Sequence, residues 1–353
     1  MTGAPPCFQE IMRVGRVVCF GEVLIRLSAP DAELLLQSAS LKVCFGGAET
    51  NVAVSLARLG HESAMLSIVP DNALGRAGVD ELRRYGVDTS RVDIRPGRQG
   101  LYFLTQGAAQ RASQVLYDRA GSAFALGAGS LDWDAALEGA DWLHVSGVTA
   151  AIGQATADAA LAAVRAAHRL GVKVSMDCNY RASLWQAWNG DAPAILAEML
   201  SHADLVFGDH RDIALMLGSK FPAAQPGEST GDLRRRAASA AFEAFPKLER
   251  MACTERVQHT VNHHDICGLV FTRERTWRTE SRPLNPIIDR IGGGDAFAAG
   301  VLHGLLAGLE EGVGLEFAIA AAALKHATPG DFNLATRAEV EALVASDSLD
   351  VRR

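Results

Sequence analysis

Residues 289–300 read DRIGGGDAFAAG, from Asp289 to Gly300. Three consecutive glycines (Gly292, Gly293 and Gly294) cost backbone entropy on folding, and a carboxylate, Asp295, follows them directly. From Asp295 onward the pattern becomes that of a strong helix former, DAFAAGVLHGLLAGL. The glycines are therefore expected at the N-terminal end of a helix, where unpaired N–H groups and the positive end of the dipole face outward. Such a turn binds anions, and glycine lets a phosphate come close to the backbone. Asp295 alone could be a helix cap, but a cap does not need three glycines. An anion site with a catalytic carboxylate is the expectation. The chain contains no Gly-Lys dipeptide, hence no G-x-x-x-x-G-K-[ST] loop, and Phe297 stands where G-x-G-x-x-G needs its last glycine.

Outward from this stretch, short apolar runs alternate with Ala/Leu-rich ones. RVVCFGE (16–22), SAMLSIV (63–69), DWLHVSG (141–147), GVKVSMD (171–177) and ADLVFG (203–208) read as buried strands. ETNVAVSLARLG (49–60), LGRAGVDELRRYG (74–86) and QATADAALAAVRAAHRLG (154–171) read as helices, each closing on a glycine. This alternation predicts an α/β fold with a mostly parallel sheet covered by helices on both faces, and ligands beyond the carboxyl ends of its strands. Segments 24–45 and 97–119 break the pattern, with strands and no helix between them. They predict a small β-lid inserted into one domain spanning 16–353. The tail after residue 330 is expected to end in a short, fraying helix.

The chain has 353 residues, 48% hydrophobic and 21% charged, with formal charge −7. This is globular composition with room for a sizeable core, and its sign argues against nucleic-acid and membrane partners. The first fifteen residues hold no signal-like apolar stretch. The six cysteines show no paired spacing, and four lie in strand-like runs where cysteine acts as a small hydrophobe. A reducing cytoplasm is the economical location.

DRIGGGDAFAAG resembles the C-terminal signature of the ribokinase-like (PfkB-type) carbohydrate kinases. FGGAETNVAVSLARLG (45–60) resembles their N-terminal signature. GLYF (100–103), LYDRAGSA (116–123), HVSGVTAA (144–151) and DCNYRASLW (177–185) are similar to the branch that phosphorylates 2-keto-3-deoxygluconate. The resemblance spans residues 16–335. It implies a three-layer αβα sandwich and an ATP- and Mg²⁺-dependent sugar kinase. Asp295 would be the general base for the sugar's terminal hydroxyl, and Gly292, Gly293 and Gly294 the anion hole for the phosphoryl group. Gly46, Gly47 and Asn51 would hold the sugar. Tyr102, Tyr117, Arg119 and Arg181 would hold an acidic one, since arginine offers a fork matched to a carboxylate.

The nucleotide motifs depart from the family pattern. Its Asn-x-x-Glu appears as DHRD, Asp209 to Asp212. Asp209 is expected against the nucleotide and Asp212 at Mg²⁺, which carboxylates suit. Segment 251–268, MACTERVQHTVNHHDICG, replaces the family's nucleotide-covering strand, with Thr254 in a phosphate or ribose contact. Ile319 stands where an asparagine sometimes faces adenine, implying an apolar slot. His259, His263, His264 and Cys267 would suit a metal on a helix, but their segment reads as a hairpin and the metal is set aside. The family resemblance also implies a homo-oligomer, paired through exposed edges of the lid. The alternatives are a kinase for fructose, ribose or 5-keto-2-deoxygluconate, or a non-catalytic sugar-binding regulator, which would have no need of Asp295.

Overall fold

The computed structural model describes residues 14–221, 223–224 and 227–345. Its strands, in chain order, are β1 Arg16–Phe20, β2 Leu24–Ser28, β3 Lys42–Gly46, β4 Glu62–Pro70, β5 Val92–Arg95, β6 Leu101–Thr105 and β7 Gln114–Asp118. They continue with β8 Trp142–Ser146, β9 Lys173–Asp177, β10 Leu205–Phe207, β11 Arg250–Thr260, β12 His263–Phe271, β13 Thr276–Arg278 and β14 Arg282–Leu284. One sheet runs in the order β13-β12-β11-β10-β9-β8-β1-β4-β5, with β14 paired to β12. From β5 across to β11 all pairs are parallel, and β12 turns antiparallel. The order reverses direction at β1, the kind of crevice where open α/β sheets bind ligands.

The parallel strands are apolar on both faces, as a sheet sandwiched by helices requires. Val18, Phe20, Leu66 and Val145 pack toward the helix Gln154–Leu170, and Val17, Cys19, Met65 and Leu205 toward the helices Ala48–Arg58 and Gly293–Leu306. The three glycines expected to close helices lie at positive φ, +93° at Gly60, +86° at Gly86 and +73° at Gly171. A left-handed residue ends a helix there at little cost for glycine.

The second sheet, β3-β2-β6-β7, is built from the two expected lid segments. β2 pairs with β6 in parallel and the two edge strands are antiparallel. One cross-strand row, Cys44, Arg26, Tyr102 and Tyr117, faces the body of the protein; the next row, Val43, Leu27, Phe103 and Leu116, lies on the other face. The tail differs from expectation. The helix Arg337–Ala345 is docked, with Val340 wholly buried against Leu59, Phe317 and Ala321; residues 346–353 lie outside those described. The hairpin read in segment 251–268 is present: β11 and β12 pair antiparallel, and Val261 and Asn262 make the turn between them. The five described cysteines are free, four of them buried; Cys7 lies outside the described residues.

Candidate active site

Gly292 caps the helix Gly293–Leu306 in a left-handed conformation, φ +83°, and no side chain caps its first N–H groups. A Cβ on Gly292 would stand 2.0 Å from the Asp331 carbonyl oxygen, and one on Gly293 2.4 Å from the His326 ring. These two glycines are thus required by what lies behind the turn. Gly294 is different: its front is open, and it lines two adjoining cavities.

The first cavity, about 340 Å³, lies under the lid and is lined by Gly47, Asn51, Tyr102, Tyr117, Arg119, Arg181, Gly292 and Asp295, among others. The second, about 550 Å³, is lined by Asp209, Asp212, Thr254 and Phe297 among others. Asp177, Asn179, Arg181 and Gly294 belong to both. A group lodged at this junction is within reach of molecules in either cavity.

Asp295 sits in the first turn of its helix. Its Oδ2 accepts from Asn51 Nδ2 at 2.6 Å. Burial raises its carboxyl to about 7, with Asp331 and Glu49 adding to the rise and Asn51 opposing it. A base poised near neutrality is suited to proton abstraction. Asn51 Oδ1 is buried without a partner among the described residues, an acceptor left for a hydroxyl.

Four of the residues picked from sequence are placed otherwise. Gly46 does not line the cavity; its missing side chain makes room for the Asp331 carboxylate, 2.1 Å from a hypothetical Cβ. Gly293 faces His326 rather than either cavity. Ile319 is fully buried in the core against the helix Gly293–Leu306 and lines no cavity, which corrects the adenine-slot expectation. Gly300 lets that helix pack closely, a Cβ there meeting Ala318 Cα at 2.5 Å. Arg119 lines the sugar-sized cavity, but its Nε donates to Glu22 at 2.7 Å, with both side chains buried. It therefore does not need a ligand's anion to be satisfied, contrary to the sequence argument. Arg181 hydrogen-bonds to no anion: it donates to the Tyr117 hydroxyl at 3.3 Å and to the Tyr180 carbonyl at 3.0 Å, while its charge lowers the nearby carboxyls of Asp177, Asp212 and Asp295.

DHRD forms a capping box on the helix His210–Leu217. Asp209 N donates to Asp212 Oδ2 at 2.8 Å, and Asp209 pairs with Arg211 at 2.7 Å. Asp212 lines the larger cavity. Burial raises its carboxyl, and nearby Asp209 raises it further. With Asp177 it supplies hard oxygen donors that fit Mg²⁺ arriving on nucleotide phosphates.

Among the described residues the only group of three or more His, Cys, Asp or Glu side chains with ligand atoms within 4.8 Å of one another is His259, His263 and Asp265. The hairpin therefore gathers a different set from the one considered in the sequence. His259 and Asp265 already satisfy each other through a 2.7 Å hydrogen bond.

Sequence reading missed Asp177, whose carboxyl burial and then Asp295 raise to about 7. Its signal was available, since it is the first residue of DCNYRASLW and ends a strand at the ligand side of the sheet. It also missed the buried cluster behind the glycines. Arg26 pairs with Asp289 at 2.7 Å and with Asp331 at 3.1 Å, and Tyr102 donates to Asp331. Nothing in the local sequence around Arg26 or Asp331 announces a pairing across some three hundred positions.

The chain matches the pfkB family of carbohydrate kinases over residues 14–336. A 2-dehydro-3-deoxygalactonokinase of Haloferax volcanii is 31% identical, the match covering 96% of this chain and 99% of that one. A 5-dehydro-2-deoxygluconokinase of Clostridium perfringens is 26% identical over 87% of this chain and 86% of that one. Among solved structures, a 2-dehydro-3-deoxygluconokinase of Thermotoga maritima superposes with a TM-score of 0.87 at 33% identity, covering 94% of this chain and all of that one. This chain belongs to the pfkB family of carbohydrate kinases and has their ribokinase-like fold. It is an ATP-dependent sugar kinase. Among the described residues no helix is long and apolar enough to cross a membrane.

Proposed function

We propose that this kinase phosphorylates the terminal hydroxyl of a 2-keto-3-deoxy sugar acid, 2-keto-3-deoxygluconate (the 2-dehydro-3-deoxygluconate of its relatives' names) or its galactonate epimer. One observation carries the acidic preference. Arg181, bonded only to uncharged partners, stands at the junction of the two cavities beside Tyr117. The names of the 2-dehydro-3-deoxy relatives agree with it. A neutral sugar leaves this guanidinium with no anion hydrogen-bonded to it, only the nearby carboxylates of Asp177, Asp212 and Asp295. 5-Keto-2-deoxygluconate is also a carboxylate, so Arg181 by itself does not separate it from the preferred substrate.

In the proposed reaction the sugar lies under the lid with its terminal hydroxyl at Asp295. The carboxylate takes the hydroxyl proton through Oδ1 while Asn51 holds Oδ2 and offers its own free Oδ1 to a neighbouring hydroxyl. ATP occupies the larger cavity, and its transferring phosphoryl group meets the free N–H groups at Gly292 and Gly294. Mg²⁺, held through Asp177 and Asp212, would neutralise phosphate charge. Thr254 and Asp209 flank the nucleotide, Asp209 through the cap and Arg211 rather than as a free ligand. The proposal places the enzyme in the cytoplasm, as a dimer joined through the outer face of the lid.

The test is a coupled assay of the purified protein against acidic and neutral sugars. A charge-assisted hydrogen bond contributes about 1.5–3 kcal/mol, so the sugar acid should exceed fructose or ribose in kcat/KM by roughly ten- to a hundredfold. Arg181→Ala should erase most of that margin and still permit slow turnover. Fructose or ribose as the better substrate would overturn the acid-sugar reading and leave the kinase intact.

A further inference from the structure

The catalytic proposal leaves one fully buried charge unused. Lys325 lies in the last turn of the helix Glu311–His326 and has no solvent exposure. Its Nζ donates to the Thr328 carbonyl at 3.0 Å, and its Cε would stand 3.2 Å from a Cβ on Gly292. The next residue, His326, backs Gly293, and its carbonyl accepts from Ile288 N at 2.9 Å and Asp289 N at 3.3 Å. The end of this helix is thus the floor of the glycine turn. Its C-terminal carbonyls favour a cation at that place.

The charges that act on Lys325 include Asp289, Asp331 and Asp295 on the negative side and Arg26 on the positive side. Asp289 shapes the turn itself, accepting from Ile291 N at 3.0 Å, Gly330 N at 3.0 Å and Arg26 at 2.7 Å. Two carboxylates, Asp289 and Asp331, therefore meet two cations directly behind a turn whose front, with Asp295, must accept a phosphoryl group. Without the lysine, one guanidinium would be left to offset both, with Asp295 close by. The field at the turn would then oppose the anion that the N–H groups are meant to receive.

We infer that Lys325 is a positioning residue for phosphoryl transfer, a built-in counter-ion whose ammonium offsets Asp289 and Asp331 and so keeps the glycine turn receptive to the transferring group. It touches neither substrate. The inference depends on the proposed anion role of the turn but not on which sugar is used.

The experiment compares Lys325→Met with the parent on whichever sugar the parent turns over best, so an error about the sugar leaves the ratio intact. Loss of the counter-ion should lower kcat roughly ten- to a hundredfold, less than loss of a donor that touches the anion. The sugar KM should stay unchanged, because the sugar-side contacts do not involve Lys325. Ammonium or methylammonium should restore kcat saturably, since either can enter the space the side chain vacates. The double variant Lys325→Met/Asp331→Asn removes one charge of each sign and should recover most of the lost kcat. It also serves if the single variant folds poorly. Parental kcat in Lys325→Met overturns the inference, and so does a loss that neither amine nor the double variant relieves.

Discussion

Asp295 carries its chemistry because of where its carboxyl is kept. Burial holds it near 7, and Asp177, raised to a similar value partly by Asp295, shares the junction. Interacting carboxyls titrate as a pair, so the apparent values belong to both. As the base must be ionised, kcat/KM should climb with pH and level off above about 7. Asp295→Asn should lower kcat by roughly 10²–10⁴-fold and move the inflection to lower pH, since Asp177 loses the part of its rise that Asp295 supplies. The stability consequence has the opposite sign. A carboxyl whose folded value lies above its unfolded one favours folding at low pH, and loses that contribution as pH rises through about 7. Asp295→Asn should therefore melt higher than the parent at pH 8, with the gap closing toward pH 4. Thermal melts across that range decide it, and a parental kcat in this variant would leave Asp295 only as a buried first-turn carboxylate, not the base.

At the scale of elements, the glycine turn separates two demands that the sequence shows as one. Gly292 and Gly293 answer to Asp331 and His326 behind them, whereas Gly294 opens onto both cavities. Gly292→Ala should thus cost stability, since it places a side chain at φ +83° against a backbone oxygen. Gly294→Ala should keep the parental melting temperature while slowing ATP turnover, because its methyl group projects where the phosphoryl group must sit. Equal effects of the two substitutions on melting would refute this division. The alternating helices and strands, the lid segments and the helix after the glycines were legible because period and glycine placement are local properties. The pairing of Arg119 with Glu22 and the burial of Ile319 were not, since both depend on which surfaces meet after folding. A motif named Arg119 correctly as a cavity residue, but only the partner across the cavity wall shows that its charge is already balanced.

For the whole molecule, the lid has two faces with different obligations. Its inner row, Arg26, Tyr102 and Tyr117 with Cys44, looks toward the site. Its outer row, Val43, Leu27, Phe103 and Leu116, is apolar across all four strands. Val43 is 60% exposed and Leu116 63%. A contiguous apolar strip whose two edge residues stand exposed marks an interaction surface. A two-fold pairing would bury the same strip from both copies at once. The proposed dimer therefore joins lid face to lid face, rather than by the edge pairing the sequence suggested. Sedimentation at micromolar concentration should give a dimer for the parent and a monomer for Val43→Glu/Leu116→Glu, because two charges per copy would have to be buried unpaired. The catalytic effect should be uneven. A lid released on its outer face holds Tyr102 and Tyr117 less firmly over the sugar, so the KM for sugar should rise while the KM for ATP, whose cavity lies off the lid, stays near parental. A parent that sediments as a monomer, or a charged variant that remains dimeric, rules out the lid-to-lid contact.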